Sequence, residues 1–356
     1  MNSMTRLLLF IFLGTLVSFG PFITDMYLVS LPQMMSYFQV EKPTIQMTLT
    51  FSMLGLALGQ IIFGYLGDRY GRKIPLMTGL FLFTLFTLFS LTSKNINLFL
   101  LCRFIQGLAG AGCIVLGRSI IPDLFQKDVM VKAISVTTLI YTINRIISPI
   151  IGGFAFQLSG WKGIFICLFI IGLLLLIASF FIPETHPQTL KKETSLMVSL
   201  KKLIRNKTFM CFLTAFTFIL TIQFAYIASC SFIFQKHYNI SPMLFSFIFA
   251  FNAAVFGVGA FIPATNGNIY IYEILLIVFR FLTGFCFTVF MSKALESCRE
   301  TAGLGAAFLG TFYFLFGSIV TPLVGYGNIL YSSAIIMFFF AILNYSVIHM
   351  YFKKKA

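Results

Sequence analysis

The stretch "LLLFIFLGTLVSFGPFITDMYLVSL", Leu7 to Leu31, carries one charged side chain, Asp25, in 25 residues. An α-helix needs about 20 apolar residues to cross roughly 30 Å of hydrocarbon, whereas a barrel strand needs about ten that alternate. Runs of this length recur at about 45 to 66, 75 to 93, 97 to 118, 133 to 157 and 161 to 183. Five more follow at about 209 to 234, 243 to 263, 270 to 292, 303 to 323 and 327 to 350. The chain therefore reads as an all-α polytopic membrane protein. Composition agrees: 59% of residues are hydrophobic and 10% charged, against about 25% charged in soluble domains. The first run outlasts a signal peptide and has no A-x-A-like cleavage site, so it reads as a retained span.

The net charge of +15 would suggest nucleic acid in a soluble chain. Here it marks sides of a membrane. Loops 67 to 74 (Arg69, Arg72, Lys73), 118 to 132 (Arg118, Lys127, Lys132) and 184 to 208 hold most of the bases, and the alternate loops hold one each. The positive-inside rule then puts the N-terminus in the cytoplasm, with six spans before a basic linker. The expected domains are a six-helix bundle over 1–183, a cytoplasmic linker over 184–208 and a second bundle over 209–356.

"RFIQGLAGAG" at Arg103 and "RFLTGFCFTV" at Arg280 suggest a weak internal repeat, as in many transporters. Leu7 precedes Arg103 by 96 positions, but Phe209 precedes Arg280 by 71. The second half is thus short by about one span and a turn. The expectation is 11 to 12 spans, with a helix missing, or replaced by a re-entrant hairpin, near 262–269. Either keeps the C-terminal Lys353, Lys354 and Lys355 on the basic side.

Charge concentrates unusually in "GYLGDRYGRK", Gly64 to Lys73. Gly64 and Gly67 allow close helix approach, Gly71 allows a turn, and Asp68 with Arg69, Arg72 and Lys73 can form a polar latch on a neighbouring helix end. An ordinary positive-inside loop is the plainer reading of the same residues. The stretch resembles the signature loop between helices two and three of the major facilitator superfamily. "DMYLVSLP" at Asp25, "RFIQG" at Arg103 and "SPIIGG" at Ser148 are similar to its bicyclomycin-resistance (Bcr/CflA) subfamily of drug:proton antiporters. That resemblance implies two helical bundles around a central cavity, rocking by alternating access, with the proton gradient as energy source and no cofactor.

Asp25 lies roughly 27 Å along the first span, beside the helix-perturbing pair Gly20 and Pro21. A carboxylate there must pair or hold a proton, which makes it the first candidate for proton coupling; a structural cap is the bland alternative. Arg103 matches the family's helix-four arginine, which the resemblance ties to proton handling, although snorkelling to the interface would also accommodate it. Pro149, Gly152 and Gly153 match the helix-five motif of antiporters, implied to seal or hinge the halves; a kink with small-residue packing overlaps that reading. Arg145 departs from the family. It sits near the midplane and needs a partner, either Asp25 or an anionic substrate. Tyr27 and Tyr141 are further candidates for a substrate cavity. Before Asp123 this chain has Pro122 where the subfamily commonly has arginine, and Arg118 is the candidate substitute.

Enzyme chemistry is poorly represented. The three histidines (His186, His237, His349) sit at predicted interfaces, the seven cysteines are scattered, and no P-loop or metal-ligand spacing occurs. The expected function is proton-coupled multidrug efflux across a bacterial inner membrane by a monomer, with a drug-like substrate, the lipid bilayer and no nucleic acid as partners. The alternatives are a proton-coupled carrier of an anionic or zwitterionic metabolite and, from another class, a degenerate membrane protein that transports nothing.

Overall fold

The computed structural model describes residues 3–125, 127–185, 203–254 and 302–353, together with 201, 290, 293, 294 and 297. Among these the regular structure is entirely helical. Two compact units emerge, one of Met1–Leu190 with Ile240–Ala254, the other of Lys191–Asn239 with Val255–Ala356.

In the first unit the first span is broken into α1 (Ser3–Val17), α2 (Phe19–Thr24), a 3-10 turn (Leu28–Ser30) and α3 (Leu31–Phe38). The cause is Pro21, which has no N–H for the Val17 carbonyl and whose ring crowds the preceding turn. The chain bends by 49° between Leu7–Val17 and Phe19–Phe38. Every residue of α2 is buried, so the break lies inside the unit rather than on its rim.

Helices α4 (Lys42–Tyr70), α5 (Lys73–Thr92) and α6 (Ile96–Leu124) follow. At 29 residues, α4 is about 44 Å long. It crosses α6 with backbones almost touching: a Cβ at Gly55 would lie 2.1 Å from the Phe104 carbonyl oxygen, and one at Gly107 would lie 1.9 Å from that of Ser52. Small residues at four-residue spacing (Gly55, Gly59) are what permit such a crossing in a membrane.

The next helical run, α7, spans Lys127–Phe180, 54 residues. At about 81 Å it is far too long for one crossing, and it folds back at Ser159 and Gly160, where Gly160 has φ +59°. At that reversal Trp161 packs on Phe38 and Phe99, and its backbone N–H donates to Gln33 Oε1 at 2.8 Å. At the opposite end Phe125 packs on Phe10, and Arg72 meets both Asp123 and Glu184. The two limbs of α7 therefore run there and back, which completes the six crossings expected of the first half. The short helix α9 (Pro242–Ala254) packs on α7 and belongs to the same unit.

The second unit contains α8 (Lys207–Phe232) with a π-turn at Ile233–His237, then α10 (Ala302–Val324) and α11 (Ile329–Lys353). Phe209, Phe212, Phe216, Leu220 and Leu309 form its core. Asn344 Nδ2 donates to the Ala215 carbonyl at 2.7 Å, tying α11 to α8. Ile335, Phe339 and Tyr345 of α11 are exposed, an apolar outer face that suits lipid.

Six described helices are long and apolar enough to cross a membrane, seven if the broken first pair counts as one span. The α7 run counts once in that tally despite its reversal. The expected span at 270 to 292, the Arg280 repeat, the shortening near 262–269, most of the 184–208 linker, and Lys354 and Lys355 lie outside the described residues.

Candidate functional site

Asp25 follows α2 directly, where the broken span one leaves the α-helical path. Its carboxylate is 4% exposed, and Oδ1 accepts a hydrogen bond from the Thr24 hydroxyl at 2.8 Å. Arg145, on the first limb of α7, places Nε 3.7 Å from Asp25 Oδ2. This is the partner that the depth of Arg145 required. Pro149 stands four residues further along and cannot supply the N–H that would bond the Arg145 carbonyl, so the helix is weakened at the arginine itself.

Arg103 does not snorkel. It is fully buried, with its guanidinium over the Tyr27 ring at 4.4 Å. Nη2 donates to the Ile23 carbonyl at 2.8 Å and to Ser52 Oγ at 3.2 Å, and Nη1 donates to Gln106 Oε1 at 3.0 Å. Gln106 in turn donates to Thr87 and Ser90 of α5. Dipoles and an aromatic face hold this cation in place of a carboxylate. Tyr27 serves as its platform: it has no exposed surface, and its hydroxyl bonds Thr48 Oγ1 at 2.6 Å. Tyr141 is half-buried, one helical turn before Arg145.

The helix-five motif closes against span one and α9. A Cβ at Gly152 would lie 2.3 Å from the Met26 carbonyl oxygen, and one at Gly153 would lie 2.6 Å from Ser246 Oγ. Arg103 and Gly152 thus hold the backbone on either side of Asp25.

At the far end of the unit the charged loop forms a closed network. Arg72 Nη1 donates to Asp68 Oδ1 at 2.6 Å, and its Nε donates to Asp123 Oδ2 at 2.9 Å. Burial of the guanidinium works against its charge, and the bonds from the two acids more than offset that, holding its pKa above the ordinary arginine value. Arg72 takes the role for which Arg118 was the candidate. Gly67 permits the approach, since a Cβ there would lie 2.4 Å from Leu116 Cδ2, whereas one at Gly64 would sit an ordinary 3.7 Å from Val115. The expected close packing therefore falls on Gly67 alone. Arg69 stays outside the network, bonded to Tyr65 of its own helix at 2.8 Å.

Sequence reasoning missed Glu184. Its carboxylate accepts the backbone N–H groups of Arg72 (2.8 Å) and Lys73 (3.1 Å), and Lys73 Nζ donates to the Phe180 carbonyl at 2.9 Å. No local signal singled it out: the 184–208 stretch holds two acids, Glu184 and Glu193, and only the fold brings the first to the N-terminus of α5, where a carboxylate is favoured.

Residues 11–292 match the sequence model of the Major Facilitator Superfamily. The chain belongs to that superfamily. It is accordingly a secondary transporter rather than an enzyme. This Major Facilitator Superfamily member is 32% identical to the "Uncharacterized MFS-type transporter YdgK" of Bacillus subtilis (strain 168), over 90% of this chain and 89% of that protein. It is 28% identical to the "Bicyclomycin resistance protein homolog" of Haemophilus influenzae, over 91% and 90% of the two chains. In structure it is similar to a bacterial homolog of the human lysosomal transporter Spinster, with a TM-score of 0.76 at 13% identity, covering 98% of this chain and 97% of that one. The Bacillus alignment runs over 358 residues while taking in only 90% of this 356-residue superfamily member. The relative therefore carries internal residues with no counterpart here, which supports a shortened chain without locating the gap.

Proposed function

We propose that this transporter is a proton-coupled efflux antiporter for drug-like compounds, working by alternating access as a monomer in a bacterial inner membrane. Its N-terminus is cytoplasmic, and the proton gradient alone drives it. The observation that carries this reading is Asp25, a buried carboxylate at a break in span one, paired with a cation that other groups can replace. A buried carboxylate must be neutralised by a cation or a proton. Substrate and proton then compete for one acid: protonation from outside releases substrate outward, and deprotonation inside resets the carrier. The 64–73 network, closed within the first unit by Arg72, biases one conformer. A homologue named for bicyclomycin resistance supports the substrate class. The reading of a purely anionic cargo loses its main motive, because Asp25 already takes up the Arg145 charge.

The test is substrate-driven proton flux in proteoliposomes of the wild type and of Asp25→Asn. The variant is expected to insert normally and lose coupled efflux. Wild-type coupling in Asp25→Asn would sink the proposal. No substrate-driven flux in the wild type, over a broad drug panel, would favour the degenerate protein.

A further inference from the structure

We infer that Gln223 is a substrate-binding residue of the second unit, and that it selects ligands with an uncharged cis-amide edge, as in a lactam, an imide or a cyclic urea. This rests on the reading of a carrier for drug-like compounds and adds a recognition group that the Asp25 region does not supply.

Helix α8 and its π-turn form one span, Lys207–His237, of 31 residues. Gln223 stands one residue past its midpoint, about 24 Å along the helix from Lys207 and so near the centre of the bilayer. Every residue from Leu220 to Phe232 is buried, and Gln223 itself is 4% exposed. Neither its Oε1 nor its Nε2 has a hydrogen-bond partner among the described residues. An amide left in that state inside an apolar interior is strongly unfavourable.

Neighbouring polar side chains avoid it. On the same helix Thr214, Thr217, Thr221 and Ser229 each donate a hydroxyl to a carbonyl of their own helix, at 2.7 to 3.1 Å. Gln106, a buried glutamine of α6, accepts from Arg103 and donates to Thr87 and Ser90. That glutamine is engaged at both ends, whereas Gln223 keeps a donor and an acceptor open.

The open groups define what fits. A carboxamide presents its N–H and its C=O side by side. The matching edge sets an acceptor beside a donor, which a ring-locked cis-amide does without any ordering cost. A ketone, an ether or an amine answers one end of Gln223 and leaves the other unpaired. No charged residue lies between Lys207 and Lys236, so the span offers no ion pair to a charged group at this depth. Tyr226, one turn on along the same face and 2% exposed, places an aromatic side chain next to the amide, which suits a planar ring. The amide is closed off in this conformer, and a ligand meets it when the carrier opens.

The test titrates three near-isosteric, uncharged probes calorimetrically into the protein in lipid nanodiscs. They are 2-quinolone, with the full cis-amide edge, N-methyl-2-quinolone, without the donor, and 2-methoxyquinoline, without donor or carbonyl. 2-Quinolone is expected to bind about tenfold tighter than either analogue. Gln223→Leu should bring the three to equal affinity, and Gln223→Asn should keep part of the preference. A second readout needs no ligand: Gln223→Leu removes an unpaired amide and should raise the melting temperature of the free protein. Equal binding of the three probes by the wild type overturns the inference, as does no measurable binding of 2-quinolone or a preference that survives in Gln223→Leu. A lower melting temperature in Gln223→Leu overturns it too, because the amide would then have a structural partner such as a fixed water. Failure of the antiport reading shows separately, as undiminished substrate-driven proton flux in Asp25→Asn, which does not involve Gln223.

Discussion

Gly71 and Glu184 should be coupled, and the coupling can be measured. Gly71 has φ +91°, and a Cβ built on it would lie 2.4 Å from Glu184 Oε2 and 2.7 Å from its Cδ. Gly71→Ala therefore combines two penalties. A backbone at φ +91° and ψ 173° is essentially reserved for glycine and costs another residue about 1–3 kcal/mol, and the side chain also pushes the carboxylate off the Arg72 and Lys73 N–H groups. Those are charged hydrogen bonds, but Glu184 is exposed, so water replaces much of what is lost and about 1 kcal/mol is a fair discounted figure. Glu184→Ala alone should cost that amount, while the double variant carries the backbone strain and escapes the collision. Gly71→Ala/Glu184→Ala should thus be less impaired than the summed single variants by about 1 kcal/mol, roughly a fivefold recovery in turnover if the loop equilibrium limits transport. The assays are proton-coupled efflux and thiol labelling of a cysteine placed at Tyr70. Strict additivity in both would refute the reasoning and leave Gly71 as a local turn residue with no tie to the exit of span six.

Five other substitutions, two of them controls, test the first unit. Gly107→Ala sets a Cβ 1.9 Å from the Ser52 carbonyl oxygen and should destabilise the detergent-purified protein by about 3 kcal/mol; Gly64→Ala, with 3.7 Å of clearance, should leave the melting temperature unchanged. Arg72→Lys keeps the charge but has one nitrogen for two carboxylates, and it should lower transport more than Arg69→Lys in the same efflux assay. Arg103→Lys loses the fork that reaches Ile23, Ser52 and Gln106 together, so both melting temperature and coupled efflux should fall.

Much of this was legible in the sequence because the bilayer imposes length and charge rules on each span separately. The six crossings of the first half, the break at Pro21, and Asp25 beside Arg145 as intramembrane ions all follow from local reasoning. The misses depend on which residues meet across space. Glu184 lies 112 positions from Arg72, and an acid after span six says nothing local about the N-terminus of α5. That Arg72 bonds both Asp68 and Asp123, where Arg118 was the expected substitute for the missing arginine, is likewise a fact of helix packing. Gly55 and Gly59 form a legible small-residue pair, but only the α4–α6 crossing shows that Gly107 is their counterpart.

The sequence offered Pro149 as a hinge, and the structure suggests why it stands where it does. The backbone around Asp25 cannot shift by itself: Arg103 grips the Ile23 carbonyl, and Gly152 lies against that of Met26. Opening the Asp25–Arg145 pair must therefore come from the arginine's side. The missing bond at Pro149 is the one that would have anchored the Arg145 carbonyl, so the helix is softest in the turn that carries the moving charge. Pro149→Ala restores that bond and removes the ring's clash. It should raise the melting temperature while slowing coupled efflux several-fold, with the affinity for substrate little changed. Faster or unchanged turnover in a stabilised Pro149→Ala protein would show that the pair opens by side-chain rotation alone, and that the proline serves packing rather than motion.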